Sequence, residues 1–312
     1  MPAAWADAME FCDVTGFMLA YQKIDPVAPV ADFGDFAGPV LLMLHDMSMD
    51  HRIWQPTLAH LPPNTLIICP DLRGHGQSGG PRAPRSMGAL VRDVEQLLDH
   101  LALRDVVVVG LGLGGMLAQA LAVKRFDLVR GLVLVGTPSK WATPAVWARE
   151  MAAVQAGGMD GVVEAWLARI CARRFAQSSA AADLRAMFCA TPLVSYLATM
   201  AAISGSDFYA STATLTLPTL GIVGSEDRLV PPDLAQETTA LIKGADFTVL
   251  RRVGHVPPLE SPIEFSEQIS GFLRRIGHAG GQPHVCSPID GPHAGQGPSA
   301  CQERVCCETK GS

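Results

Sequence analysis

The 312-residue chain lacks any apolar run approaching the roughly 20 residues that a bilayer-spanning helix requires, so no membrane span is expected. It also lacks a basic surplus. Twenty-four lysines and arginines stand against 30 aspartates and glutamates, a formal charge of −6, and no Lys/Arg cluster announces a nucleic-acid partner. Residues 1–10 mix alanine with acidic residues and hold no basic region followed by an apolar stretch, which predicts no secretory leader. The expectation is a cytoplasmic protein with a small-molecule ligand. No C-x-x-C pair occurs among the eight cysteines. Cys12, Cys69, Cys171 and Cys189 sit in apolar or helical contexts and read as buried thiols rather than a disulfide framework. The other four fall in a tail from residue 277 rich in Gly, Pro and His; with His278, His284 and His293 they match no common zinc spacing, so no metal is assigned. That tail has too little apolar periodicity to offset the entropy of ordering and is expected to be disordered. The sequence carries no signal for an oligomeric state.

What is present is a large apolar fraction, 48% of residues, enough for a sizeable core. Short β-branched or apolar runs at 9–14, 17–24, 40–44, 66–69, 106–109, 132–135, 220–223 and 247–250 predict strands. The first two, separated by Thr15-Gly16, suggest an antiparallel hairpin. The later ones are almost wholly apolar, as parallel strands covered on both faces are. Helical patterns at 52–60, 87–102, 116–124, 232–242 and 262–276 alternate with the strands, the signature of a wound α/β sheet with helices on both faces. Between residues 137 and 213 the strand pattern stops, and Ala-, Met- and Trp-rich helices at 145–156, 161–175, 180–189 and 194–203 predict a cap inserted after the sixth strand. The domain plan is a core at 1–136 and 214–276, a cap at 137–213 and the tail at 277–312. Function should lie at the carboxyl ends of the strands.

Residues 105–115 read D-V-V-V-V-G-L-G-L-G-G. A β-branched run ends in glycines just before a helix-compatible stretch, so the chain must reverse sharply, and glycines permit that. In a nucleophile elbow, G-x-S-x-G, such a turn lifts its central side chain above the sheet. Here the central residue is Gly112, and the hydroxyl is missing. Asp227, in G-S-E-D-R-L-V-P-P, and His255, in V-G-H-V-P-P-L-E, each follow a predicted strand, and the order elbow, acid, histidine suits an acid that orients a catalytic base. A plainer alternative has Asp227 capping the helix near residue 231 and His255 bracing a Pro-rich turn. Oxyanion donors would be the backbone N–H of Leu113 and one from His45-Asp46-Met47, assigned to Met47. Asp46 is expected to tolerate left-handed backbone there, and its carboxylate, if aimed inward, would oppose an oxyanion. The turn D-x-R-G-H-G-x-S at 71–78 reads as scaffold.

Residues 9–276 resemble the α/β-hydrolases, and within them the 3-oxoadipate enol-lactonases. The resemblance is carried by W-A-R-E-M-A-A-V-Q-A-G-G-M at 147–159, L-R-A-M-F-C-A-T-P at 184–192, L-P-T-L-G-I-V-G-S-E-D-R-L-V-P-P at 217–232 and G-L-G-L-G-G-M, where that family has serine in place of Gly112. It implies an α/β-hydrolase fold, hydrolysis of a small anionic lactone or ester, and no cofactor. Arg149, Arg169, Arg173, Arg174 and Arg185 offer guanidinium groups for a substrate carboxylate, and Arg149 with Trp147 is assigned that role. Trp141, Trp147, Trp166, Met151 and Met159 either line the pocket or form the core of the cap.

Three readings of the glycine turn stand side by side. In the first, the space left by the serine admits a water that His255 deprotonates, giving slow hydrolysis. Ser48 and Ser139 lie on nearby loops, but neither occupies an elbow. In the second, the scaffold binds ligand without turnover, either as a natural pseudoenzyme or through a deliberate serine-to-glycine change. In the third, Gly110, Gly112 and Gly115 form the G-x-G-x-x-G of a dinucleotide turn, yet several strands precede it and the next ends in Val135-Gly136-Thr137 without an acid.

Overall fold

A computed structural model describes residues 8–14, 16–27, 38–79 and 86–278; the expected tail lies outside the described residues from 279 onward. Eight strands, β1 (Met9–Val14), β2 (Phe17–Ile24), β3 (Val40–Leu44), β4 (Leu66–Pro70), β5 (Val106–Leu111), β6 (Val129–Val135), β7 (Thr219–Gly224) and β8 (Asp246–Leu250), form one sheet in the order β1-β2-β4-β3-β5-β6-β7-β8. β1 and β2 make the expected antiparallel hairpin, β2 runs antiparallel to β4, and the remaining pairs are parallel. Burial explains the sequence pattern. All six residues of β5 and all five of β3 are buried, as strands covered on both faces must be, and each buried Val or Leu contributes about 1.5–3 kcal/mol.

The longer helices are α1 (Met87–His100), α2 (Leu113–Lys124), α3 (Pro144–Ile170), α4 (Ser179–Ala190), α5 (Leu193–Ser204), α6 (Pro232–Ala240) and α7 (Pro262–Arg275). Local signals start several of them. Ser86 accepts from Ala89 N ahead of α1, and Thr143 accepts from Val146 N ahead of α3, whose first residue is proline. α2 begins at Leu113, three residues before the expected start, because the elbow turns directly into helix. The helices expected at 145–156 and 161–175 are the two arms of α3, which meet at a kink where Gly158 is non-helical (φ 67, ψ −176); the second arm ends at Ile170 instead of 175.

α3, α4 and α5 form the cap between β6 and β7 and pack through aromatic contacts, with Trp166 and Phe188 centroids 4.4 Å apart and Phe188 and Tyr196 5.4 Å apart. Sheet and cap belong to one compact unit. Among the described residues no single helix is long and apolar enough to cross a membrane; α4 and α5 together have the composition but are bent by 91°. Cys12, Cys69 and Cys171 are buried free thiols, and burial pushes the Cys171 thiol up to about 12. Cys189, near the end of α4, is only half-buried, unlike its expected placement.

Candidate active site

β5 delivers Gly112 at the centre of the sheet with φ 51 and ψ −111, the left-handed conformation an elbow apex needs. Its N–H donates to Val135 O at 3.0 Å, and its carbonyl accepts from Met116 N at 3.1 Å, fixing the turn between β6 and α2. A Cβ on Gly114 would overlap Leu44 O, so the helix can approach β3 this closely only with glycine there.

Two further strand ends bring the acid and the imidazole to this turn. Asp227 follows β7, and its Oδ1 accepts from Leu229 N and Val230 N, each at 2.9 Å, while Oδ2 accepts from His255 Nδ1 at 2.7 Å. The contact with His255 has the orienting geometry, whereas the capping alternative is not met: Oδ1 closes the turn ahead of α6, whose N-cap is Pro231 with no side-chain cap. His255 follows β8, is fully buried, and anchors its own N–H on Ile170 O of the cap at 2.6 Å. Glu260, which the sequence reading passed over, accepts from Gly254 N at 2.8 Å and Ala172 N at 3.1 Å, tying the histidine loop to the end of α3.

Asp46 is the main departure from expectation. The left-handed residue in the turn after β3 is Ser48, at φ 60, and not Asp46. The Asp46 side chain points inward and is fully buried; Oδ1 accepts from Leu113 N at 2.7 Å and Oδ2 from His255 Nε2 at 3.2 Å. A Cβ on Gly112 would overlap its Oδ1 and Cγ and lie 2.8 Å from Oδ2, so the carboxylate fills the volume of the missing side chain. The gap expected to hold a water is occupied by Asp46, and the Leu113 N–H assigned to an oxyanion already donates to that carboxylate. His45 sets the arrangement. Its Nδ1 donates to Asp46 O at 2.7 Å and its Nε2 accepts from Leu72 N at 2.8 Å, with burial lowering its pKa and keeping the ring neutral.

His255 is pulled the other way. Burial alone would lower its pKa, but the charge of Asp227 and hydrogen bonds to Asp227 and Asp46 outweigh it and raise the value from 6.5 to about 10. The two acidic side chains thus favour the protonated form of the ring between them. Ser48 Oγ donates to Met47 O at 2.5 Å and Ser139 N to Thr238 Oγ1 at 2.7 Å; both serines are buried.

A cavity of about 190 Å³ opens under the cap, lined by Met47, Trp141, Trp147, Trp166, Arg169 and Tyr196 among others. Met47, expected as a backbone N–H donor, and Trp147, expected at the substrate, both line this space. Arg149 does not: it lies on the exposed face of α3, and the arginine that reaches the cavity is Arg169, 3.6 Å from Glu150. Helical phase explains the exchange, since residue 149 falls opposite the buried stripe carrying Trp147, Val154 and Trp166. The buried indole N–H groups of Trp147 and Trp166 have no hydrogen-bond partner among the described residues. Burial and then the charge of Asp46 raise the Tyr196 phenol, which links this wall to the carboxylate.

The D-x-R-G-H-G-x-S turn is scaffold. Asp71 accepts from His51 N and Gln77 N, each at 2.8 Å, and Arg73 Nε donates to Asp93 at 2.7 Å. Asp50, His51 and Asp71 bring donor atoms within 4.8 Å of one another, but Arg52 holds Asp50 in a fork and His51 holds Asp71, so the group is saturated by its own hydrogen bonds.

An acid and an imidazole converging on a strand–turn–helix at the carboxyl ends of a parallel sheet define a hydrolase site. The pattern of the alpha/beta hydrolase family matches residues 41–268, and the chain belongs to that family, a hydrolase enzyme by fold and lineage. It is 24% identical over 248 residues to a 3-oxoadipate enol-lactonase of Acinetobacter baylyi, covering 79% of this chain and 92% of that protein. It is 28% identical over 247 residues to a pimeloyl-[acyl-carrier protein] methyl ester esterase of Vibrio vulnificus, covering 75% of this chain and 94% of that one. The crystal structure of the enol-lactonase from Burkholderia xenovorans superposes with a TM-score of 0.78 at 25% identity, covering 85% of this chain and all of that one. A hydrolase from Pseudomonas aeruginosa gives 0.79 at 27%, covering 86% and 99%.

Proposed function

We propose that this protein hydrolyses small carboxylic esters or lactones, with an anionic lactone of the enol-lactone type as the best-fitting substrate. The observation that carries the reading is the 2.7 Å contact of His255 Nδ1 with Asp227, held buried over the Gly112 turn. The relatives named for enol-lactone and methyl ester hydrolysis support ester or lactone chemistry in general. The cavity supports a small-molecule ligand: Arg169 lines it beside its ion-pair partner Glu150, and its wall includes Trp147 and Trp166, whose buried indole N–H groups have no partner among the described residues. Product formation from a panel of aryl esters, alkyl esters and enol-lactones by the purified chain tests this, with His255→Ala as the control. Turnover that survives His255→Ala, or no turnover by the folded protein, refutes it.

A second reading has its own observation. Asp46 occupies the Leu113 N–H that a substrate oxyanion would use, as expected of a scaffold that binds its ligand without converting it. Calorimetry showing lactone binding without product would favour that reading.

A further inference from the structure

The elbow lacks a hydroxyl, but the volume it would occupy is not empty. We propose that Asp46 is the nucleophile of this hydrolase, attacking the acyl carbon of the ester or lactone to form a mixed anhydride with the enzyme; this rests on the hydrolase reading above.

Geometry carries it. The carboxylate arrives from the turn after β3 instead of from the elbow, yet lies where a side chain on Gly112 would lie, with Oδ2 3.2 Å from His255 Nε2 and Oδ1 on the Leu113 N–H. The glycine is then no defect. It is the condition for Asp46 to enter, since any Cβ at 112 would displace the carboxylate.

The proton inventory agrees. A serine must lose a proton to attack, so its histidine begins neutral and acts first as a base. Asp46 is a carboxylate and needs no deprotonation, so His255 can begin as the imidazolium that two carboxylates stabilise and act first as an acid. Asp46 Oδ2 bonds to the acyl carbon, the bond from that carbon to the leaving oxygen breaks, and His255 Nε2 passes its proton to that oxygen. Esterification removes one of the two charges that held the proton, which leaves His255 a neutral base for the second step. Water then gives a proton to His255 and its hydroxide adds to Cγ of Asp46, where the oxyanion forms on Oδ1, already seated on Leu113 N–H. The anhydride bond breaks, the substrate acid departs, and the acidic proton left behind goes to solvent. The sum is one ester and one water giving one acid and one alcohol.

This chemistry selects the substrate. A carboxylate is a better leaving group than an alkoxide, so the tetrahedral adduct with a simple alkyl ester collapses back to reactants. An enol or a phenol leaves on comparable terms. Enol-lactones and aryl esters should therefore turn over, and matched ethyl esters should not.

The test is a single turnover in ¹⁸O water with enzyme in excess over an aryl ester. The expected result is an unlabelled acid product and one ¹⁸O atom in the peptide containing Asp46. Turnover with ¹⁸O in the acid and none in that peptide overturns the proposal while leaving the hydrolase reading intact; no turnover at all sinks the hydrolase reading and this proposal with it. Asp46→Asn keeps the shape and the acceptor for Leu113 N–H and should lose roughly 10³-fold in kcat. Should that variant misfold, Asp46→Gly combined with Gly112→Ser supplies a second measurement. It should become sensitive to a fluorophosphonate that leaves the parent untouched, and labelling of the parent at another residue, with loss of its activity, also overturns the assignment.

Discussion

His255 Nε2 lies 3.2 Å from Asp46 Oδ2 while its Nδ1 holds Asp227 Oδ2 at 2.7 Å, so one ring bridges two carboxylates that come from opposite sides of the elbow strand. The consequences of that bridge can be measured one by one.

The first is a pH dependence of stability. The folded-state pKa of His255 is about 10, above its ordinary 6.5, so the native state binds the proton more tightly than the unfolded chain does. The stabilisation is complete below about pH 6.5 and is lost as pH rises through 10, on the order of 1 kcal/mol per pH unit within that window. Asp46 and Asp227 hold the proton on the ring, and Glu260 adds its charge nearby. Urea unfolding at about pH 6, 8 and 10 should show a monotonic fall. A flat profile would mean that the ring is neutral in the folded protein.

The second concerns Gly112→Ser. The new Cβ would overlap the Asp46 carboxylate, so the single change should destabilise by about 1–3 kcal/mol and add no esterase activity. Chemical denaturation and an aryl ester assay read both outcomes. A single variant that gains activity would show that Asp46 yields its place freely.

Gly136 supplies a third. It has φ 46, and a Cβ there would stand 2.9 Å from His255 Nδ1 and 3.0 Å from Asp227 Oδ2. Gly136→Ala should part the acid from the imidazole, lowering kcat by more than tenfold and stability by about 1–3 kcal/mol. An unchanged imidazole N–H signal in proton NMR would contradict this.

Arg169→Ala probes the cavity rim. KM should rise several-fold for lactones bearing a free carboxylate and stay level for neutral esters of the same size, with kcat little changed. Arg149→Ala, on the exposed face, should leave both constants alone.

The last separates scaffold from site. Arg73 and Asp93 are a buried pair, and the Arg73 guanidinium also lies 4.4 Å from the centroid of Phe17, tying the β1–β2 hairpin to α1. Asp93→Ala removes the buried carboxylate paired with Arg73 and should cost about 3–5 kcal/mol while the remaining folded fraction keeps its kcat. Thermal unfolding combined with active-site titration distinguishes the two effects.

Much of this molecule was legible before any coordinates. The apolar strands announce themselves because burial on both faces demands near-continuous Val, Ile and Leu, and residues 106–109 could be read as a buried strand for that reason. The order of Gly112, Asp227 and His255 followed from strand ends that the same pattern located. The direction of the Asp46 side chain was not legible, because it depends on a vacancy 66 positions away in the chain, and a pairwise fit across strands leaves no local trace. Arg169 was hidden in a different way. Five arginines share the cap, and which one faces inward is set by the phase of α3 around its Gly158 kink, a tertiary matter.

The overlap between a Cβ at position 112 and the carboxylate of residue 46 also constrains ancestry. A lineage exchanging a hydroxyl for a carboxylate at this point cannot move through a form that keeps both at full strength, since they compete for one volume. It must cross a crowded ancestor or one bearing neither group, so the two chemistries, neighbours in space, are separated by a single handicapped intermediate.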